Sequence, residues 1–484
     1  MKRDLGALAN REHDLLIIGG GIHGAAAAWD AAERGLSVAL VEADDFGSRT
    51  SWNSLKTIHG GLRYLQTLDV RRMRESIRER RALLRIAPEI VRPLPFVIPT
   101  YGHGMKGREA LAVALRLNDL VSADRNEDLP PEQRIPPGRL LSRAEALELF
   151  PGLPETGLNG AARWTDAQVE SSERLTIAFV RAAADAGAAV ANHLEVESFV
   201  RADSRVTGVR CRDHVGGALV EMRARLVLNA AGPGMDAVLG LAGIVRPRTP
   251  LLRAVNLVFR QNFAGSCALG ASAGGRFLFL VPWRGRSMVG TAYWPAPSAD
   301  RDDVPSFLDE ARRAYPWARV GAEDVTLVHR GLVPAGRAAG GLVTRHRLID
   351  HEREDGIPGL ISVQGVKYTT ARGVAQEVVD IALRRLDRRA GPCRTASTRL
   401  SHARPLEGSL ESRARIATRD EMALTLSDAI LRRLDLGTAG PPEVADVDVV
   451  EAVLAAEQGW DPERRRAERR ALQATYVNAG TQSG

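Results

Sequence analysis

Cysteine is scarce in this chain: Cys211, Cys267 and Cys393 are the three present in 484 residues, and they lie far apart. That spacing excludes a disulfide framework and a zinc ribbon, and such sparse use suits a reducing compartment. No apolar run reaches the roughly 18 residues a spanning helix needs. The opening MKRDLGALAN is charged with no apolar stretch behind it, so no signal peptide is expected. Internal repeats and low-complexity tracts are also lacking. Apolar side chains are not: 44% hydrophobic and 26% charged residues describe an ordinary globular chain. Its length allows roughly two to four domains. A core of that size needs neither disulfide nor metal, and no metal site is expected. The expected location is the cytoplasm.

A large excess of one charge is missing too. The 66 Lys+Arg against 59 Asp+Glu leave a net charge of +7, too little and too spread to predict nucleic-acid binding. The densest cluster is Arg71, Arg72, Arg74, Arg78, Arg80, Arg81 and Arg85, interleaved with Glu75 and Glu79. With Val70, Met73, Ile77 and Leu84 on one side, the spacing predicts an amphipathic helix over 69–86 with a solvated basic face. An anionic surface meeting that face is the alternative reading.

What is present begins at residue 13. His13-Asp-Leu-Leu-Ile-Ile18 is an apolar strand followed at once by Gly19-Gly-Gly21-Ile-His-Gly24. Alanines 25 to 28 open a helix running to about Arg34, Gly35 ends it, and Ser37–Val41 makes a second strand closing on Glu42. This is a whole dinucleotide-binding unit. Gly19 permits the tight turn, Gly21 lets the backbone approach a pyrophosphate, and Gly24 lets helix and strand pack closely. The pyrophosphate belongs at the helix N-terminus, where free N–H groups and the dipole favour negative charge. Glu42 is placed to bind ribose hydroxyls, and an acid there disfavours NADP.

The unit alone does not choose between NAD and FAD. The next segment, Ser54-Leu-Lys-Thr-Ile-His59-Gly60-Gly61-Leu-Arg63-Tyr64-Leu65, does. NSLKTIHGGLRYL closely resembles a stretch of the FAD-dependent glycerol-3-phosphate dehydrogenases, within the broader D-amino-acid-oxidase-like flavoproteins. The resemblance continues through Trp164-Thr-Asp166 before a long helix over 171–186, through Leu226–Asn229-Ala230-Ala231-Gly232-Pro-Gly234, and through Gly365-Val366-Lys367-Tyr368-Thr369-Thr370 opening a helix from about 373 to Arg388. Ser142 with Glu145 three residues on reads as a helix cap, and 250–335 reads as an antiparallel sheet with Phe277–Val281 as one strand. Met422, Leu426, Ile430 and Leu434 recur every four residues in a C-terminal region expected to be helical, and Asp461-Pro462 starts a helix. The entry to that region, 401–415, looks shorter than in the family.

The expected fold is therefore α/β: an FAD-binding Rossmann-type domain (1–100, 160–250 and 340–390), a substrate domain with an antiparallel sheet (101–159 and 251–339), and a small helical C-terminal domain (401–484). The resemblance implies non-covalent FAD held by Gly19, Gly21, Ile22, His23, Gly24, Glu42, Ala43, Thr50, Ser51, Lys56, His59, Gly60, Gly61, Val196, Ala230, Ala231, Gly232, Gly365, Lys367, Tyr368 and Thr369. It implies His59, Arg63, Tyr64, Arg345 and Lys367 at the substrate, with Arg347 competing for the place of Arg345 and His329 as a candidate base. The implied reaction oxidises a small phosphorylated polyol, glycerol 3-phosphate first, with electrons passing to a quinone or other acceptor. Two departures pull against that substrate. Arg253-Ala-Val-Asn256 lacks the family's histidine, and Asn takes no proton at neutral pH. Val333 in Gly331-Leu-Val-Pro-Ala335 stands where the family has arginine, with Arg330 or Arg337 as compensation. Another anionic substrate (a phosphonate, 2-hydroxy acid or amino acid) or an amine stays open, as does a homodimer. The family's membrane habit and the 69–86 helix imply at most weak, salt-reversible contact with the inner face of a membrane.

Overall fold

The computed structural model describes residues 1–104, 107–245, 249–296, 303–336 and 341–477. Strand Glu12–Ile18 lies between Val38–Val41 and Leu219–Asn229, parallel to both. Leu360–Gln364 and Ala189–Ala191 extend the parallel sheet on either side. Both faces are covered, which is why these strands read as unbroken apolar runs rather than alternating ones. Arg347–Asp350 closes one edge antiparallel, and the hairpin Leu194–Ala202 with Arg205–Asp213 joins through the start of Leu219–Asn229. Helices Ile22–Glu33, Ser172–Asp185 and Ala371–Arg385 share one core with this sheet. The alanine face Ala25–Ala28 keeps the first of them close, and Trp29 meets Phe179 edge-on at 5.4 Å.

The second sheet runs in the order Val325–Pro334, Leu251–Phe259, Arg286–Ala296, Arg276–Trp283, Ala268–Ala273, Val91–Tyr101, Leu158–Val169 and Thr57–Ile58. Its pairings are antiparallel except for Ala268–Ala273 against Val91–Tyr101. Two ranges expected in the nucleotide unit are corrected here. Val91–Tyr101 and most of Leu158–Val169 belong to the second sheet, because Pro93, Pro95 and Pro99 sit in a strand that still pairs along its whole length with Leu158–Val169.

The basic helix forms as Val70–Ile86, its N-terminus capped by Asp69, which accepts from Arg72 N–H at 3.1 Å. Its solvated basic face is largely matched by acid. Arg74 and Arg81 pair with Asp124, Arg81 also with Glu127, and Arg85 with Asp128. Arg80 is buried on Asp166, and Glu79 is buried on Arg372. Arg71 and Arg78 are the exposed arginines of this helix. No helix among the described residues is long and apolar enough to cross one.

The capped helix at Ser142 is present as Arg143–Leu149. The C-terminal region holds Leu410–Glu421, a short π-helical turn Asp428–Arg433, Val444–Gln458 and Pro462–Val477. The four-residue recurrence from Met422 to Leu434 is not one helix. Met422 is left-handed (φ 53°) and ends the first helix, and Asp428 then caps Leu424 and Thr425 to start a new turn. Leu426, Ile430 and Leu434 still share a core, whereas Met422 packs into the nucleotide unit.

A buried charge network joins this region to the nucleotide unit. Asp45 accepts from Arg433 Nη1 and Nη2 at 2.7 Å each, from Asn192 Nδ2 at 2.8 Å, and from Arg432 Nε. Arg432 also holds Asp428, which accepts from His193, and Arg174 pairs with Glu421. The Asp45 turn in turn supports the glycine turn. Gly47 N–H donates to Gly20 O at 3.0 Å, and a Cβ on Gly20 would sit 2.5 Å from the Phe46 ring.

Candidate active site

The glycine turn is a cradle in which side chains are excluded by backbone. Gly19 has φ 106°, and a Cβ there would lie 2.7 Å from Ala230 O. At Gly24 a Cβ would lie 1.9 Å from Gly19 O. Gly21 is different: its φ is −70° and the nearest atom to a Cβ is Ser51 Oγ at 3.2 Å. Glu42 reaches back to the turn, accepting from Gly20 N–H at 2.6 Å and Asp44 N–H at 3.0 Å. Burial raises its pKa against those two hydrogen bonds.

A cavity of about 1970 Å3, lined by residues of both sheets, opens from this turn. The expected cofactor residues line it, apart from Gly24, Lys56 and Gly60. Gly24 serves packing, as its spacing required. Lys56 is a correction. It is buried, with Nζ donating to Trp52 O at 2.8 Å and Ser172 Oγ at 2.9 Å and paired with Glu173, so it anchors the 48–56 loop from behind. Gly60 lies behind the wall as well, its N–H donating to Asp166 Oδ1 at 2.7 Å. His23 Nε2 is buried with no protein partner, and burial, with His346 nearby, lowers its pKa to about 4.

Of the expected substrate residues, His59, Arg63, Tyr64 and Lys367 line the cavity. Gly61 (φ 88°) turns the chain into the short helix Leu62–Thr67 that presents Arg63 and Tyr64 together. Lys367 Nζ lies 4.3 Å above the Tyr64 ring, and burial, then Arg63, lowers its pKa to about 8. Arg345 is a correction. Its side chain is 73% exposed and points to Asp69, at 3.4 Å, because that carboxylate at the helix cap captures it outside the cavity. Arg347 is also outside, paired with Glu354. His329 is fully buried, its Nε2 bonded to Thr438 O at 3.0 Å, and burial, then Lys56, lowers its pKa to about 3. It is a packing histidine and does not reach the cavity. Arg330 and Val333 do line it, and Arg337 lies outside the described residues.

Several lining residues carried no sequence signal: Thr57, Asp166 as a site residue, Phe279, Thr291 and Tyr293. Asn256, noted only as a departure, accepts from Thr291 Oγ1 at 2.7 Å across adjacent strands. The far flank of the cavity is apolar, built from Leu62, Leu65, Ile98, Phe277 and the Ala110–Leu117 face of helix Arg108–Val121.

A glycine turn closed to side chains, an acid at the end of the second strand and a long cavity shared with an antiparallel sheet fit FAD. Residues 14–464 match the family of FAD dependent oxidoreductases (DAO), and the chain belongs to it. Within that family it is 34% identical over 434 residues to the glycerol-3-phosphate dehydrogenase of Synechocystis sp., covering 85% of this chain and 77% of that one. The mitochondrial glycerol-3-phosphate dehydrogenase of Homo sapiens is 34% identical over 412 residues, 79% of this chain, but the chain spans 54% of that protein's length. The fold is also that of the glycerol-3-phosphate dehydrogenase from Bacillus halodurans complexed with FAD, with a TM-score of 0.75 at 23% identity, covering 98% of this chain and 96% of that one.

Proposed function

We propose that the chain oxidises the secondary hydroxyl of a small anionic polyol, glycerol 3-phosphate first, to the ketone. The observation that carries this is the pair of cations, Arg63 and Lys367, facing one cavity beside the glycine cradle. Arg63 is exposed and Lys367 half-buried, and two like charges facing one cavity repel unless an anion sits between them. FAD supplies the electron chemistry. The chain's own residues orient the alcohol, hold its anionic group and exclude water. With Arg345 outside and Val333 in place of arginine, anion binding rests on fewer cations than the resemblance implied. A phosphonate or a 2-hydroxy acid is therefore the competing substrate, and an anaerobic flavin-reduction screen over these classes separates them. The apolar flank supports a quinone as electron acceptor.

Arg63 has no hydrogen-bond or ion-pair partner among the described residues, so Arg63→Ala removes charge from the site without disturbing a structural pair. A charge-assisted hydrogen bond is worth about 1.5–3 kcal/mol. The substrate concentration for half-maximal flavin reduction is expected to rise roughly ten- to a hundredfold, with FAD content unchanged. An unchanged concentration dependence, with neutral polyols reducing the flavin equally well, ends this reading.

Lys367 adds a pH dependence. Its depressed pKa, about 8, means the ammonium is present below that value and is lost as pH rises through it. Substrate affinity is expected to fall above pH 8 in the native protein. In Lys367→Arg the charge persists to far higher pH, and the alkaline loss should vanish. Affinity titrations from pH 6.5 to 9.5 on both proteins check this.

A further inference from the structure

In the cavity wall Asp166 is 3% exposed and held by four donors. Oδ1 accepts from Gly60 N–H at 2.7 Å and from Arg80; Oδ2 accepts from Trp164 Nε1–H at 3.3 Å and meets His59 Nδ1 at 3.1 Å. Burial alone would raise the Asp166 pKa, but the hydrogen bond from His59 and the charge of Arg80 outweigh it and hold the carboxyl well below the usual range. An ionised carboxylate only accepts, so the proton of neutral His59 is on Nδ1 and the lone pair is on Nε2. That lone pair faces Thr57 Oγ1 at 3.0 Å, so the threonine hydroxyl donates to it. Thr57 Oγ1 is left with lone pairs for a donor, and both Thr57 and His59 line the cavity with Arg63 and Lys367. Phe96 and Phe279 flank the imidazole at 5.4 and 5.9 Å, fixing its plane.

We propose that Thr57 and His59 relay the substrate's hydroxyl proton and that Asp166 positions His59 to receive it. This rests on the alcohol oxidation proposed above. The carbinol O–H bond breaks with its proton passing to Thr57 Oγ1, while the threonine's own proton passes to His59 Nε2. FAD, when bound, would accept the carbinol hydrogen with its electron pair, leaving the carbon a ketone. Thr57 is restored as a hydroxyl, and His59, now an imidazolium facing Asp166, returns its proton to water through its side chain, which is 43% exposed. Thr57 is the contact residue, His59 the base behind it, and Asp166 with Arg80 the support.

The test is anaerobic flavin reduction of the holoprotein by glycerol 3-phosphate, in H2O and D2O, for native protein, Thr57→Val and Thr57→Ser. Removing a general base costs on the order of a hundredfold or more. The valine variant is expected to be reduced roughly a hundredfold more slowly, with FAD content and visible spectrum retained, and serine to recover most of the rate. A solvent isotope effect on the native rate should be altered in Thr57→Val. A valine variant reduced at the native rate overturns the relay, because His59 would then take the proton unaided. If native protein is reduced by no anionic alcohol, the proposed reaction has failed, and the relay is judged by 15N spectra of histidine-labelled holoprotein. Those should show His59 protonated at Nδ1, with its Nε2 signal moved by Thr57→Val. Protonation at Nε2, or no response to Thr57→Val, overturns the relay independently of substrate.

Discussion

Gly24→Ala is expected to give protein that neither holds FAD nor keeps its native thermal stability. The added methyl would stand 1.9 Å from Gly19 O, and a backbone oxygen in a turn with φ 106° has nowhere to go. Helix Ile22–Glu33 would have to lift from the strand, withdrawing its N-terminal N–H groups from the pyrophosphate. Overpacking of this kind costs roughly 1–3 kcal/mol or more. Gly21→Val is expected to behave differently. On the protein side its Cβ meets only Ser51 Oγ at 3.2 Å, so the fold tolerates it while the methyls occupy the space the cofactor needs. Absorbance near 450 nm and a thermal melt separate the two: Gly24→Ala colourless and destabilised, Gly21→Val colourless and close to native. A yellow Gly24→Ala preparation melting with the native protein would contradict this account of the turn.

The second large effect belongs to Arg433→Ala. This fully buried guanidinium donates twice to Asp45 and once to Glu421 O. Its removal leaves a buried carboxylate short of its main partner, a change that typically costs about 3–5 kcal/mol. The damage should be felt at both ends of the network. The C-terminal helices should become sensitive to limited proteolysis, and FAD should be released at lower temperature because Phe46 and Gly47 no longer fix Gly20. Acid has a related effect with a definite sign. Burial would raise the Asp45 pKa, but Arg433 and Arg432 outweigh it and hold the carboxyl far below its usual value. The stability this provides is present above about pH 4, the value in an unfolded chain, and is lost as pH falls further. Native protein should therefore loosen between about pH 4 and 2, and Asp45→Asn should show a weaker acid transition. An unchanged melt for Arg433→Ala would show the network to be incidental.

The sequence made some parts of this molecule legible and hid others for physical reasons. The nucleotide unit could be read because its constraints are local: a buried parallel strand, glycines where backbone meets backbone, and an acid one strand later. His59, Arg63 and Tyr64 could be read because one short segment carries them. Arg345 could not, since its direction is decided by Asp69, hundreds of residues earlier in the chain, and nothing local announces that capture. His329 reads as a candidate base and Lys56, by resemblance, as an FAD residue, but their packing puts both behind the wall. Asp166 reaches His59, and through it Thr57, only because strand Thr57–Ile58 pairs with Leu158–Val169, with Ile58 opposite Ala167. Pro93, Pro95 and Pro99 lie in a strand that pairs through them, which residue propensity alone does not foresee.

The Asp45 network also sets an order of events in time. Asp45 and Arg433 are 388 positions apart. The segment that shapes the glycine turn leaves the ribosome long before the arginines that lock it. At roughly 5–20 residues per second, that gap lasts about 20–80 seconds. Through that interval the first strand, helix and turn stand without their latch, so cofactor capture belongs to the finished chain rather than to the nascent one.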